Sequence, residues 1–129
     1  MALHSGPGPD EIRTAVERYV AYLSAGDVDG IMGLYASAAS VEDPVGGKPV
    51  VGAEAVRAFY AGAAGKLKVT LTGAIRVAGS ECAFPMLARV DLGGREVEMD
   101  VIDVMKFDDA GKVVGMRAFW SPGDMRPAR

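Results

Sequence analysis

Three polar side chains fall where the hydrophobic pattern asks for apolar ones: Tyr19, Asp43 and Asp103. Asp103 is the sharpest case. The run Val101-Ile102-Asp103-Val104-Met105-Lys106-Phe107 reads as a strand. Side chains alternate across a strand, so Val101, Asp103, Met105 and Phe107 share one face. An ionised carboxylate among Val, Met and Phe, with no cation on its own face, is strongly disfavoured. Asp103 is therefore expected to keep its proton or to find strong donors, and a protonated carboxyl is itself a hydrogen-bond donor at neutral pH. Two other readings stay open at this point. The strand register could be slipped by one residue, or Asp103 could pair with Arg76, Arg89 or Arg117 from another strand.

Tyr19 and Asp43 carry the same ambiguity. Tyr19 sits on the apolar side of a helical pattern, where a core tyrosine with its hydroxyl at the rim would serve as well as a functional one. Asp43 precedes Pro44 and reads also as a turn or capping residue. Three such coincidences in one small domain lower the combined odds of three unrelated structural roles but do not decide between the readings. Other familiar chemistries have no support: there is no G-x-S-x-G elbow, no glycine-rich phosphate loop and no Cys/His cluster with zinc spacing. No metal and no organic cofactor is expected. Met86, Met99, Met105 and Met116 read as core or pocket filler, and Trp120 as a cap of the core or the floor of a ligand site. Glu96 and Glu98, with Arg95, alternate with apolar residues and read as a solvated face.

The elements that must position these groups divide into two textures. Asp10 is the expected N-cap of a first helix, with Ile12, Val16, Tyr19 and Leu23 at helical spacing and Gly26 at its end. Asp27 should cap a second helix carrying Ile31, Leu34 and Tyr35. Residues 40–43 read as a short strand stopped by Pro44, which biases Asp43 to an extended backbone. Gly46, Gly47 and Pro49 mark a loop, and a third helix is expected near 53–61 with Val56, Phe59 and Tyr60 on its apolar side. From there strands take over, at 67–71, 75–78, 82–90, 95–107 and 113–120, with a Gly93-Gly94 hairpin and a turn at 108–111. The fold class is α+β: three N-terminal helices packed on one face of a curved, mainly antiparallel sheet, enclosing a conical apolar pocket.

The chain of 129 residues suits a single domain, 1–129, with 1–9 and 122–129 expected as flexible tails. Half its residues are hydrophobic and 24% are charged, with a net charge of −3 and scattered Lys and Arg. Nucleic acid and anionic membrane are therefore not expected partners. The single cysteine, Cys82, permits no internal disulfide, and no long apolar run or signal-peptide core is visible, so a cytoplasmic location is expected. The one histidine, His4, lies in the polar start of the chain and is not expected to carry chemistry.

Arg18-Tyr19-Val20, Gly26-Asp27, Met32-Gly33-Leu34-Tyr35-Ala36, Val41-Glu42-Asp43-Pro44, Ala58-Phe59-Tyr60, Leu71-Thr72-Gly73, the run Asp100-Val101-Ile102-Asp103-Val104-Met105-Lys106-Phe107-Asp108 and Ala118-Phe119-Trp120-Ser121 form a joint pattern. With it the chain resembles the bacterial Δ5-3-ketosteroid isomerases of the NTF2-like (SnoaL-like) superfamily, over nearly the whole domain. That family is itself a standard illustration of carboxyl groups tuned to different protonation states, so the roles that follow come from the resemblance. It implies a steroid Δ-isomerase that converts 3-oxo-Δ5-steroids to their conjugated Δ4 isomers through a dienolate. It implies Asp43 as the base, Tyr19 and protonated Asp103 as donors to the dienolate oxygen, and Tyr35 and Tyr60 as a hydrogen-bond network behind Tyr19. It implies Leu23, Phe59, Phe84, Met86, Met99, Val101, Met116, Ala118 and Trp120 as the steroid pocket. It also implies a homodimer, a place in steroid metabolism and a small-molecule 3-ketosteroid as partner.

The chain departs from the family in a shorter loop at 61–66, in the order of Phe84 and Met86, and at Leu87. These touch the shape of the pocket. The alternatives are a SnoaL-like cyclase or epoxide hydrolase on the same scaffold, or a non-catalytic steroid- or lipid-binding module.

Overall fold

The computed structural model describes residues 6–129, so His4 and most of the expected N-terminal tail lie outside the described residues. Helix α1 spans Pro9–Ala25. Its N-cap is Gly8, not Asp10: Pro9 occupies the first helical position, where its missing N–H is no loss, and Glu11 Oε1 accepts from the Gly8 N–H at 3.1 Å. Ile12, Val16, Tyr19 and Leu23 form its buried stripe. Gly26 closes it in the left-handed conformation (φ 68°), which a side chain would resist. Helix α2 (Val28–Leu34) is capped by Asp27, which accepts from the Gly30 N–H at 2.9 Å.

Tyr35 does not extend α2, as its place in the pattern suggested. It is extended (φ −98°, ψ 143°) and opens β1 (Tyr35–Glu42), a longer strand than the 40–43 read from sequence. The reason is tertiary. β1 pairs in parallel with β7 (Val113–Phe119), far along the chain, opposing Tyr35 to Val113, and this pairing has no local sequence signal. The short β2 (Val50–Val51), read as loop, pairs with β1 at Val41 and Ser40. Helix α3 spans Ala53–Ala63, burying Val56 and Tyr60.

The remaining strands are β3 (Leu67–Leu71), β4 (Arg76–Ala78), β5 (Glu81–Asp91) and β6 (Glu96–Phe107). With β8 (Met125–Pro127) they complete one eight-stranded sheet, ordered β2-β1-β7-β6-β5-β3, with β4 on β5 and β8 on β6. All pairings except β1–β7 are antiparallel. The sheet is curved and not closed, and α1 packs on β3 while α3 packs on β1. The core lies between helices and sheet, built on Ile12, Val16, Tyr19, Ile31, Val56, Phe84, Met105 and Met116. None of the described helices is long and apolar enough to cross a membrane.

Two C-terminal findings differ from the sequence reading. The stretch 122–129, expected as a loose tail, holds a 3-10 turn at Pro122–Asp124 and then β8, which pairs with Val97 to Met99. This strand also covers Glu98. Glu98 is buried, not solvated as its alternation suggested, and its carboxylate meets Arg89 at 2.9 Å and Arg126 at 3.5 Å. Arg126 pairs further with Asp100 at 2.8 Å. A carboxylate taken out of water needs such partners. Glu98→Gln keeps the shape and removes the charge, and should lower stability by about 1–2 kcal/mol, read by calorimetry as a fall of several degrees in Tm. An unchanged Tm would show that the cluster adds nothing.

Candidate active site

β6 decides where Asp103 points. Its inward set is Val101, Asp103, Met105 and Phe107, all buried, while Ile102 and Lys106 face out. Asp103 lies opposite Phe84 on β5 and Ala118 on β7, so its carboxyl sits between two strands with apolar neighbours on both sides. The register is the one read from sequence. No arginine reaches it: Arg89 is engaged with Glu98, and Arg117 with Glu42 at 3.2 Å. Asp103 is 3% exposed and makes no hydrogen bond to any described residue. Burial pushes its pKa up to about 8, and the nearby Asp43 carboxylate adds to the shift.

Asp43 stands just past the end of β1, before a cis peptide to Pro44. Burial raises its pKa as well, but the Trp120 Nε1–H donates to Asp43 Oδ1 at 2.6 Å and pulls the other way. The two carboxyls thus differ in one respect that decides their form. Asp43 has a donor that favours the anion; Asp103 has none.

The tyrosines form a chain. Tyr19 on α1 and Tyr60 on α3 share a hydrogen bond of 2.9 Å between hydroxyls, and Tyr60 shares one of 2.6 Å with Tyr35 at the start of β1. Burial raises the pKa of all three, keeping them protonated. The Tyr19 ring packs edge-on against Tyr60 and Phe84, with centroids 6.0 and 6.3 Å away. Such packing restrains the ring that presents the hydroxyl.

Tyr19, Asp43 and Asp103 all line one cavity of about 510 Å³. That volume lies within the roughly 300–1,000 Å³ usual for small-molecule sites. Its wall includes Leu23, Phe59, Met86, Met99, Val101 and Trp120 from the expected pocket, with Tyr60. Phe84, Met116 and Ala118 do not line it. They are buried in the core beside it, because Phe84 backs Tyr19, and Ala118 flanks Asp103 across the ladder. Leu67, Val69, Ala88 and Val90 line the cavity without having been singled out. Their signal was the inward alternation of β3 and β5. Trp120 does more than floor the site, since it donates to Asp43. Among the described residues, no group of three or more His, Cys, Asp or Glu side chains could hold a metal ion.

The chain belongs to the SnoaL-like domain family, whose profile matches residues 16–116. Within that family it is similar to an isomerase. The Steroid Delta-isomerase of Nocardioides simplex is 40% identical over 115 residues, covering 89% of this chain and 94% of that protein, and on this likeness the chain is an isomerase enzyme. The scaffold is shared with other activities. Epoxide hydrolase LasB of Streptomyces lasalocidi is 29% identical, and the match covers 92% of this chain but 51% of that protein. A solved structure of SalBIII, an epoxide hydrolase/cyclase-like enzyme in pyran ring formation in salinomycin, superposes with a TM-score of 0.87 at 25% identity. That match covers 92% of this chain and 97% of SalBIII.

The buried carboxyl has a thermodynamic signature. Between the ordinary value of 3.8 and the folded value of about 8, the folded state holds a proton that the unfolded state has released. Stability therefore falls as pH rises through that window and levels off above it, with a limiting slope of about 1.4 kcal/mol per pH unit. Asp103→Asn removes this term. Its Tm relative to the unsubstituted protein should climb as pH is raised from about 4 to about 8, and then stay level. A pH-independent difference would mean that Asp103 titrates alike in both states.

Proposed function

We propose that this protein is a steroid Δ-isomerase, moving the double bond of 3-oxo-Δ5-steroids into conjugation with the ketone. The observation that carries the reading is the junction of an unpartnered, buried carboxyl and a buried tyrosine hydroxyl with an anion-favouring carboxylate in one apolar cavity. A 3-ketosteroid is a rigid hydrocarbon with a carbonyl at its reacting end. It suits a cavity with apolar walls and a polar floor.

In this reading Asp43 is the base. Its carboxylate takes the proton from the carbon between the ketone and the double bond, and the electron pair flows into a dienolate whose negative charge rests on the ketone oxygen. Tyr19 and the protonated Asp103 donate hydrogen bonds to that oxygen, and Tyr60 and Tyr35 hold Tyr19 in place. The Asp43 carboxyl then gives the same proton to the far carbon of the dienolate, and the ketone re-forms in conjugation. Substrate and product are isomers, so no external oxidant, reductant or water is consumed. A positioned base contributes about 10²–10⁴-fold, and each donor to a developing oxyanion about 10²–10³-fold in kcat. The hydrogen bond from Trp120 favours the ionised Asp43 that the first transfer needs, and it orients the carboxyl that carries the proton to the second.

A second reading is supported by the likeness to LasB and SalBIII: a neutral carboxyl can donate to an epoxide oxygen as well as to a ketone. The isomerase reading is preferred because the likeness to the steroid enzyme is stronger and spans nearly the whole of both chains. Addition of 5-androstene-3,17-dione, with ultraviolet absorbance of the conjugated enone as readout, separates the two. A rise far above the buffer rate is expected, and no rise would refute the isomerase reading for that substrate. Asp43→Asn should reduce kcat by about 10²–10⁴-fold while leaving the affinity for a phenolic steroid nearly intact. Asp103→Leu should reduce kcat by about 10²–10³-fold and weaken the phenol as well. Wild-type rate in the first variant, or no change in either quantity in the second, would remove that residue from its role.

The outer face of the sheet supports a homodimer. Ile102 and Phe119 oppose each other across β6 and β7, and they are 49% and 41% exposed. Such a pair on an open sheet face is what a second copy would cover. Light scattering should give twice the 13.4 kDa chain mass, and Ile102→Glu should return the monomer. A monomeric wild type at micromolar concentration would contradict this.

A further inference from the structure

The cavity is polar at both ends. Its floor carries Tyr19, Asp43 and Asp103; its opposite rim is formed by Lys66 and by Asp91, Leu92 and Gly93 of the β5–β6 hairpin. The proposed reaction uses only the floor. Strand register gives the separation. Asp103 opposes Phe84 on β5, while Leu67, the residue after Lys66, opposes Val90 on the same strand. At the usual rise per residue, that places the rim about 20 Å from Asp103 along the strand, before curvature shortens it.

The backbone holds Lys66 at this rim from two sides. Its N–H donates to the Ala63 carbonyl at 3.0 Å, and its own carbonyl accepts from the Asp91 N–H at 2.8 Å. Gly65, at φ 80°, lets the chain turn there from α3 into β3. The ammonium itself has no ion pair and no hydrogen bond among the described residues. Two other lysines are engaged, Lys68 Nζ with the Ser24 carbonyl and Lys112 Nζ with the Gly33 carbonyl, both at 2.7 Å, and of the lysines only Lys66 lines this cavity. Asp91, the acidic group on the rim, is turned into its hairpin, where Oδ1 accepts from the Gly94 N–H at 2.7 Å. Lys66 is thus an unpaired cation at the mouth of an apolar cavity.

We propose that Lys66 is a specificity-determining residue, which favours steroids bearing a carboxylate at the end remote from the 3-ketone by pairing its ammonium with that group. The proposal rests on the steroid reading of the site. A terminal ketone offers Lys66 a neutral acceptor; a carboxylate offers it an opposite charge beside a low-dielectric wall. Apolar walls give the walled length of such a ligand no other place for its charge, so carboxylate and ammonium meet at the opening. Lysine suits this point contact, since its flexible stem lets the charge follow side chains of different length. A solvent-screened pair of this kind is worth about two- to fivefold in affinity.

The test uses the full chain and two steroid phenols that differ only in a carboxylate or a ketone on the terminal ring. Titration against the fluorescence of Trp120, the single tryptophan, gives both dissociation constants. At low salt the acid should bind about two- to fivefold more tightly than the ketone. That ratio should fall toward one in K66Q, return in K66R, and shrink as salt is raised. A ratio that K66Q leaves unchanged, or equal binding of both phenols to the unsubstituted protein, overturns the proposal alone. Failure of both phenols to bind overturns the proposal and the steroid reading together.

Discussion

The site depends on a carboxyl group that has been removed from water without being given a partner. Asp103 is enclosed by strands on both sides, faces an apolar cavity, and has its pKa raised further by the Asp43 carboxylate. Under these conditions the protonated form is the stable one at neutral pH, and a protonated carboxyl has an O–H available to donate. Much else follows from that constraint. Were a lysine or arginine to reach Asp103, the carboxylate would ionise and the donor would vanish. Arg89 is tied to Glu98 and Arg117 to Glu42, and Arg76 is exposed on β4 without an ion pair to Asp103.

The contrast with Asp43 gives the pair its chemistry. Both carboxyls are pushed up by burial, yet only Asp43 receives a hydrogen bond to its anion, from Trp120 at 2.6 Å. One residue can therefore take a proton while the other keeps its own. The fold brings these groups together from distant parts of the chain. Asp103 comes from the centre of β6, Asp43 from the end of β1, Trp120 from the residue after β7, and Tyr19 from α1. The parallel β1–β7 pairing sets Asp43 beside Trp120, since Glu42 opposes Arg117 two strand positions before Phe119. Tyr60 links α1 and α3 to the start of β1 through its two hydroxyl contacts, so the donor on α1 is fixed against the sheet.

Much of this was legible in the sequence, and the pattern of success is physical. Alternation placed Asp103 on the inner face, and helical spacing placed Tyr19 among Ile12, Val16 and Leu23, because both periodicities are local. The misses share a different origin. Helical spacing runs on through Tyr35, whose strand is set by partners remote in sequence, Val113 on β7 and Tyr60 on α3. The alternation around Glu98 gives no sign of its burial, because β8, which pairs beside it, lies in a polar tail without strand signals. Phe84, Met116 and Ala118 fall in the core and not on the cavity wall. Alternation tells which face a residue takes, but not whether the space beyond is filled by protein or left open. Family resemblance supplied the roles proposed for Tyr19, Asp43 and Asp103, which no periodicity contains.

With its pKa raised to about 8, Asp103 carries a proton at neutral pH in the folded protein. This protonation is tested most directly by following the side-chain carboxyl carbon of Asp103 by NMR in protein labelled at aspartate, with Asp103→Asn to assign the resonance. A titration midpoint near 8 is expected, far above an ordinary aspartate. A midpoint near 4, with the resonance already that of a carboxylate at neutral pH, would contradict it.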